Sequence, residues 1–135
     1  MKVFTSKSQK IGELGEDIAC MFLGKHGFTI GVRNYTKKWG EIDVVAEKQG
    51  ILYFFEVKSR SVANLDLVSP ETSKIYFAPE ENMHFAKRKR LARVIETYLI
   101  SHRIGNRPWE FGLIVVFIDI DHRNSRVKLF NNIIL

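Results

Sequence analysis

The stretch Gly40-Glu41-Ile42-Asp43-Val44-Val45-Ala46-Glu47-Lys48-Gln49-Gly50-Ile51-Leu52-Tyr53-Phe54-Phe55-Glu56-Val57-Lys58-Ser59-Arg60 decides how this chain folds. Both halves are rich in β-branched and aromatic residues, and Lys48-Gln49-Gly50 interrupts them. The segment therefore reads as two strands, ~40–47 and ~51–59, joined by a hairpin turn. A turn centred between Gln49 and Gly50 sets Asp43 opposite Glu56 and Glu41 opposite Lys58. Directly opposed residues, and residues two apart on one strand, project to the same side of a sheet. Glu41, Asp43, Glu56 and Lys58 are thus expected on one face. Ile42, Val44, Phe55 and Val57 are expected on the other, where they suit a core. A slip of one residue would scatter both sets.

Two opposed carboxylates repel, and burying them without compensation is costly. A divalent cation supplies that compensation. Mg²⁺ takes oxygen ligands, keeps several waters, and commonly uses one or two carboxylates together with substrate phosphate oxygens. Asp43 and Glu56 suit this role, and the Val57 carbonyl offers a third oxygen. Lys58 points at the same place, where an ammonium would hold an attacking water or stabilise charge developing on a phosphate. The same spacing also suits a surface ion-pair ladder with Glu41–Lys58 as a rung, which would contribute little stability.

Outward from the hairpin, Ile11, Leu14, Ile18 and Phe22 recur at helical spacing and predict a helix over ~8–26, capped by Ser6 or Ser8 and ended by Gly27. A strand is expected over ~28–35. Residues ~60–82 carry Pro70 and Pro79, show no clear period, and read as a long loop. A second helix is expected over ~83–104, with Phe85, Leu91, Val94, Ile95, Tyr98 and Leu99 as its apolar stripe and Lys87, Arg90 and Arg93 facing outward. Asn106-Arg107-Pro108 breaks that pattern. Strands over ~110–120 and ~126–134 follow, with a turn near His122-Arg123-Asn124-Ser125. The order is α-β-β-β-α-β-β. A helical crossover makes the third and fourth strands parallel, and the first three form an antiparallel meander, giving a mixed sheet flanked by helices.

The chain has 135 residues, 45% of them hydrophobic and 27% charged. That predicts one globular domain spanning 1–135. The longest apolar run, Leu113 to Ile118, is far short of the roughly 20 residues a membrane span needs. Met1-Lys2-Val3-Phe4-Thr5-Ser6-Lys7 has no apolar signal region, so a cytoplasmic location is expected. Cys20 is the one cysteine, which excludes an intramolecular disulfide and a cysteine-based zinc site. His26, His84, His102 and His122 show no ligand spacing. The net charge of +6 is uneven: residues 84–135 carry all of the excess, much of it in Lys87-Arg88-Lys89-Arg90 and Arg93. A concentrated basic face attracts polyanions, of which nucleic acid is the commonest in a cell. The same run also reads as a solvated helix face.

Four segments together carry a likeness: Gly12-Glu13-Leu14-Gly15-Glu16-Asp17-Ile18-Ala19, then Arg33-Asn34, then Gly40-Glu41-Ile42-Asp43, then Phe55-Glu56-Val57-Lys58-Ser59-Arg60. Lys87-Arg88-Lys89-Arg90-Leu91 adds a weaker fifth. In this order they resemble the YraN-like family of small bacterial proteins and, more distantly, the archaeal Holliday-junction resolvases. The resemblance implies a restriction-endonuclease-like, PD-(D/E)XK core. In that pattern Asp43 matches the aspartate, Glu56-Val57-Lys58 the acid-x-lysine, and Glu16 the acid of the first helix. It implies a Mg²⁺- or Mn²⁺-dependent endonuclease acting on nucleic acid, with DNA the expected substrate. Asp43, Glu56 and Val57 would hold the metal, Lys58 would activate water, and Glu16 would assist.

Arg60, Lys87, Arg88, Arg90 and Arg93 would grip the phosphate backbone, a grip largely independent of base sequence. That suits junctions, flaps or single strands. A homodimer, as in the junction resolvases, would suit a branched substrate. Two departures stand out. Ile42 replaces the proline before the aspartate, and Glu110-Phe111-Gly112 stands where relatives often carry Arg-Phe-Asp. A nucleic-acid-binding protein of the same fold without catalysis is the alternative, and a protein–protein adaptor has least support. Trp39, Tyr76 and Phe77 are candidates for stacking on bases, though packing suits them better.

Overall fold

Ser6 starts the first helix. Its hydroxyl accepts from the Gln9 N–H at 3.2 Å, satisfying one of the donors that every helix start leaves unpaired. The computed structural model describes residues 6–68 and 85–135. Its elements are α1 (Lys7–Lys25), β1 (Thr29–Lys37), β2 (Gly40–Lys48), β3 (Ile51–Ser61), a 3₁₀ turn (Leu65–Leu67), α2 (Phe85–Ser101), β4 (Trp109–Asp119) and β5 (Asn124–Phe130). No helix among the described residues is long and apolar enough to cross a membrane.

The sheet runs in the order β1-β2-β3-β4-β5, with β3 and β4 parallel and every other neighbouring pair antiparallel. This is the expected mixed sheet with two helices packed on it. The hairpin takes the register set by its turn, with Val44 opposite Phe55 through to Lys48 opposite Ile51. Gln49 and Gly50 both have positive φ, 51° and 79°, which is the backbone that a tight two-residue hairpin turn requires.

Phe54 and Phe55 are adjacent, so they face opposite sides and head separate cores. Phe55 packs with Ala19 and Leu23 of α1, with Val44 and Ala46, and with Ile114 and Val116. Phe54 packs with Leu91, Val94, Ile95 and Tyr98 of α2, and with Val45 and Phe111. Leu65 and Val68 extend the cover on the α2 side over Leu113, Val115 and Phe117. β4 is therefore buried on both faces, which accounts for its unbroken apolar run.

The buried stripe of α1 is Ile11, Gly15, Ala19 and Leu23, one position round from the expected Leu14, Ile18 and Phe22. Leu14 is 42% exposed. Small residues caused the difference. A Cβ on Gly15 would overlap the Ser59 side chain, so the helix lies against β3 through its glycine. A search for bulky apolar residues overlooks such a contact.

Three further expectations are corrected. The loop assigned from residue 60 begins later, because Arg60 and Ser61 still pair with Phe117 and Ile118 of β4. The last strand stops at Phe130. Beyond it, the Ile133 N–H donates to the Phe111 carbonyl at 2.9 Å. Ile42 joins Val45, Leu91 and Val94 rather than Val44 and Phe55, so the alternation of β2 reverses across Asp43. Pro70, Tyr76, Phe77, Pro79, His84 and the side chain of Phe85 lie outside the described residues.

Gly112 has a steric explanation. A Cβ there would stand 2.8 Å from Phe55 Cε1 and 3.0 Å from the Phe130 carbonyl oxygen. The Phe55 ring thus fills the space that an aspartate at this position would take. Gly112→Ala should destabilise the protein by about 1–3 kcal/mol through overpacking. Combined with Phe55→Leu, its cost should be less than additive in denaturant melts.

Candidate functional site

β2 and β3 pair only as far as Val44 and Phe55, whereas β3 continues along β4 to Ser61. The two strands part beyond that point, and Asp43 turns into the opening. Its Oδ2 accepts the Val57 N–H at 2.8 Å, replacing the rung that the ladder no longer makes. On the other side of β2 the β1 register passes from Arg33–Val44 to Tyr35–Ile42, and Asn34 lies between them with a left-handed φ of 55°. A left-handed residue within a strand turns the side chains on either side of it while the register is kept. It accounts for the reversal of alternation between Ile42 and Val44.

Glu56 points toward α2. Its side chain is only 13% exposed, and its Oε1 accepts Lys87 Nζ at 2.5 Å and lies 3.5 Å from Lys58 Nζ. Its Oε2 is buried and has no hydrogen-bond partner among the described residues. Glu16 comes from α1 and is 3.5 Å from Arg33 Nη2, which also pairs with Asp17 at 2.9 Å. The orientation of the Asn34 amide is assigned from its acceptors. It donates to Glu41 Oε1 at 2.8 Å and Glu16 Oε1 at 3.2 Å.

Burial pushes the Asp43 carboxyl up to about 7. The Val57 N–H opposes that rise, and the acidic groups Glu16, Glu56 and Glu41 reinforce it. Burial also raises Glu16, with Arg33 acting against the shift. Among the described residues, no group of three or more His, Cys, Asp and Glu side chains forms a ready ligand set. The donors at the opening are the carboxylates of Asp43 and Glu56 beside the main chain of Val57, with Lys58 next to them.

In place of the expected Glu41–Lys58 rung, Glu41 associates with Asn34 and Lys58 with Glu56. Arg60 lies farther along β3, exposed and opposite Phe117. Arg88 is half-buried and Arg90 exposed. The Arg93 guanidinium sits 4.1 Å over the Trp39 ring. Trp39 itself packs against the core beneath α2, as a packing residue would.

Lys87 corrects the expectation of an outward side chain. It is 26% exposed and turned onto Glu56. The signal was present in the sequence, because Lys87 shares helical spacing with Leu91, Val94, Ile95 and Tyr98 and so belongs to the sheet-facing stripe. The bridging role of Asn34 between two acids had no such signal, since it depends on a left-handed residue in a strand.

Asp43 binds its proton more tightly when the chain is folded, with its pKa at about 7, than at its ordinary 3.8. Its stabilising contribution is therefore complete below the lower value and is lost as pH rises through the higher one. Asp43→Asn keeps an acceptor for the Val57 N–H but cannot ionise. It should flatten the fall of Tm between pH 5 and 8 and raise Tm at pH 8 by about 5 °C, read by calorimetry in EDTA.

The model of the uncharacterised protein family UPF0102 matches residues 15–116. A UPF0102 protein of Alkaliphilus oremlandii is 30% identical over 125 residues, covering 93% of this chain and 97% of the relative. One from Dictyoglomus turgidum is 33% identical over 111 residues, 82% of this chain and 85% of the relative. One from Clostridium botulinum is 30% identical over 126 residues, 93% and 94% of the two chains.

Proposed function

The chain belongs to the uncharacterised protein family UPF0102, also called the YraN family, and we propose that it is a metal-dependent nuclease with a PD-(D/E)XK core. The observation that carries this reading is the opening between β2 and β3. There Asp43 and Glu56 stand beside Lys58, and one buried Glu56 oxygen lacks a partner among the described residues. Mg²⁺ or Mn²⁺ fits the donors. They are all oxygen, Oε2 is unsatisfied, and the groups acting on Asp43 through charge are the acids Glu16, Glu56 and Glu41, which a cation would neutralise.

Asp43, Glu56 and the Val57 carbonyl would hold the ion, which when bound supplies Lewis-acid polarisation of a phosphoryl oxygen. Lys58 holds the attacking water and stabilises negative charge growing on the phosphoryl group. Glu16, fixed by Arg33 and Asn34, assists from α1. Arg60, Arg88, Arg90 and Arg93 hold the nucleic-acid backbone. A grip on phosphates alone favours DNA shape over sequence, hence junctions, flaps or single strands. A homodimer would present two such sites to a branched substrate.

A second reading, nucleic-acid binding without cleavage, is favoured by the Lys87–Glu56 contact, which a purely structural ion pair would also make.

Labelled single-stranded, duplex, flap and four-way-junction DNA incubated with Mg²⁺, Mn²⁺ or EDTA separates the two. A nuclease should cut only with metal, and Glu56→Ala and Lys58→Ala should each lower the rate at least about 100-fold. The Lys58→Ala protein should still bind DNA. Binding without cutting in every metal would support the second reading. Replacing Arg90 or Arg93 by alanine should reduce the slope of log affinity against log salt by about 0.9 for each phosphate that the arginine neutralises.

A further inference from the structure

Lys87 sits on the apolar stripe of α2 and yet carries a charge. Its Nζ lies 2.5 Å from Glu56 Oε1, and Lys58 Nζ approaches the same oxygen at 3.5 Å. Two ammonium groups thus converge on one carboxylate oxygen, while Oε2 of that carboxylate is buried without a partner among the described residues. Each ammonium has three N–H donors, more than a single oxygen can use. A lysine head also moves several ångströms on its four-carbon stem without moving its helix. A divalent cation and this ammonium repel one another, so they compete for Glu56.

Building on the nuclease reading above, we infer that Lys87 is a second lysine of the site: it balances Glu56 until a divalent cation takes that carboxylate, and it is then released to a phosphate oxygen of the nucleic acid. The basic helix and the metal site would be coupled through this one side chain. Coupling of this kind is reciprocal, so cation binding would strengthen the grip on phosphate and phosphate would strengthen cation binding.

The test titrates Mn²⁺ alone into the full chain by calorimetry, comparing wild type with K87M and with K87Q, a second uncharged variant that keeps a hydrogen-bond donor. K89M on the same helix serves as an exposed control. Loss of the competing ammonium should tighten Mn²⁺ binding about fivefold, and K89M should change it less than about twofold. Duplex DNA binding is then measured by anisotropy in EDTA and in Ca²⁺. The Lys87 variants should match wild type within about twofold in EDTA and bind about fivefold more weakly in Ca²⁺.

Unchanged or weaker Mn²⁺ binding in the variants would overturn the inference and leave Lys87 a structural prop. So would an equal loss of DNA affinity in EDTA and Ca²⁺, the signature of an ordinary backbone contact. Wild type that binds neither Mn²⁺ nor DNA would sink this inference together with the nuclease reading. The expected shifts without cleavage in Mg²⁺ or Mn²⁺ would uphold the inference and sink the nuclease reading alone.

Discussion

The hydrogen bond from the Val57 N–H to Asp43 Oδ2 is where the two halves of the molecule are reconciled. β3 must stay with β4, because the parallel pair forms the centre of both cores. β2 must stay with β1, whose register continues to Lys37 and Gly40. A twisted sheet held at both sides opens between them, and an opened ladder leaves backbone donors in need of partners. Asp43 supplies one such partner with its side chain. In doing so it becomes a buried carboxylate among other acids, and its raised pKa follows from that placement.

The surrounding packing maintains the opening. On one side Gly15 lets α1 lie directly on β3 at Ser59, bringing Glu16 and Asp17 to Arg33 in the middle of β1. On the other, the absence of a side chain at Gly40 keeps β2 close to α2, where an added Cβ would stand 3.1 Å from Val94 Cγ2. Both helices therefore bring charged side chains to the opening between β2 and β3. Arg33, Asn34 and Lys87 then distribute hydrogen bonds among acids that would otherwise repel each other.

In the proposed nuclease, this balance is what makes the site responsive to a cation. Asp43 holds a raised pKa because it is buried among acidic neighbours, and Glu56 is only half satisfied. A site fully paired by protein groups would have little to gain from a metal. The outer basic residues play a different part. Arg93 rests on Trp39, which fixes a cation on the rim at little entropic cost while keeping it exposed to solvent.

The sequence alone determined the element order, the hairpin register and the mixed sheet. Each depends on short-range rules: strand composition, a turn that demands positive φ at Gln49 and Gly50, and a helix long enough to cross between parallel strands. It also pointed to Asp43, Glu56 and Lys58 as one group, but the ladder expected to set Asp43 opposite Glu56 ends one pair earlier, at Val44–Phe55, and Asp43 meets β3 through its side chain at the Val57 N–H instead. Tertiary structure decided the rest. The face that Ile42 takes and the end of the β2–β3 ladder depend on where β3 leaves β2 for β4, and no local pattern encodes that separation. The inward turn of Lys87 is legible in its helical spacing, but the carboxylate that it meets there is set by the packing of α2 on β3. The phase of α1 was hidden for a related reason. Gly15 packs by having no side chain, and a hydrophobic periodicity registers only the side chains that are present.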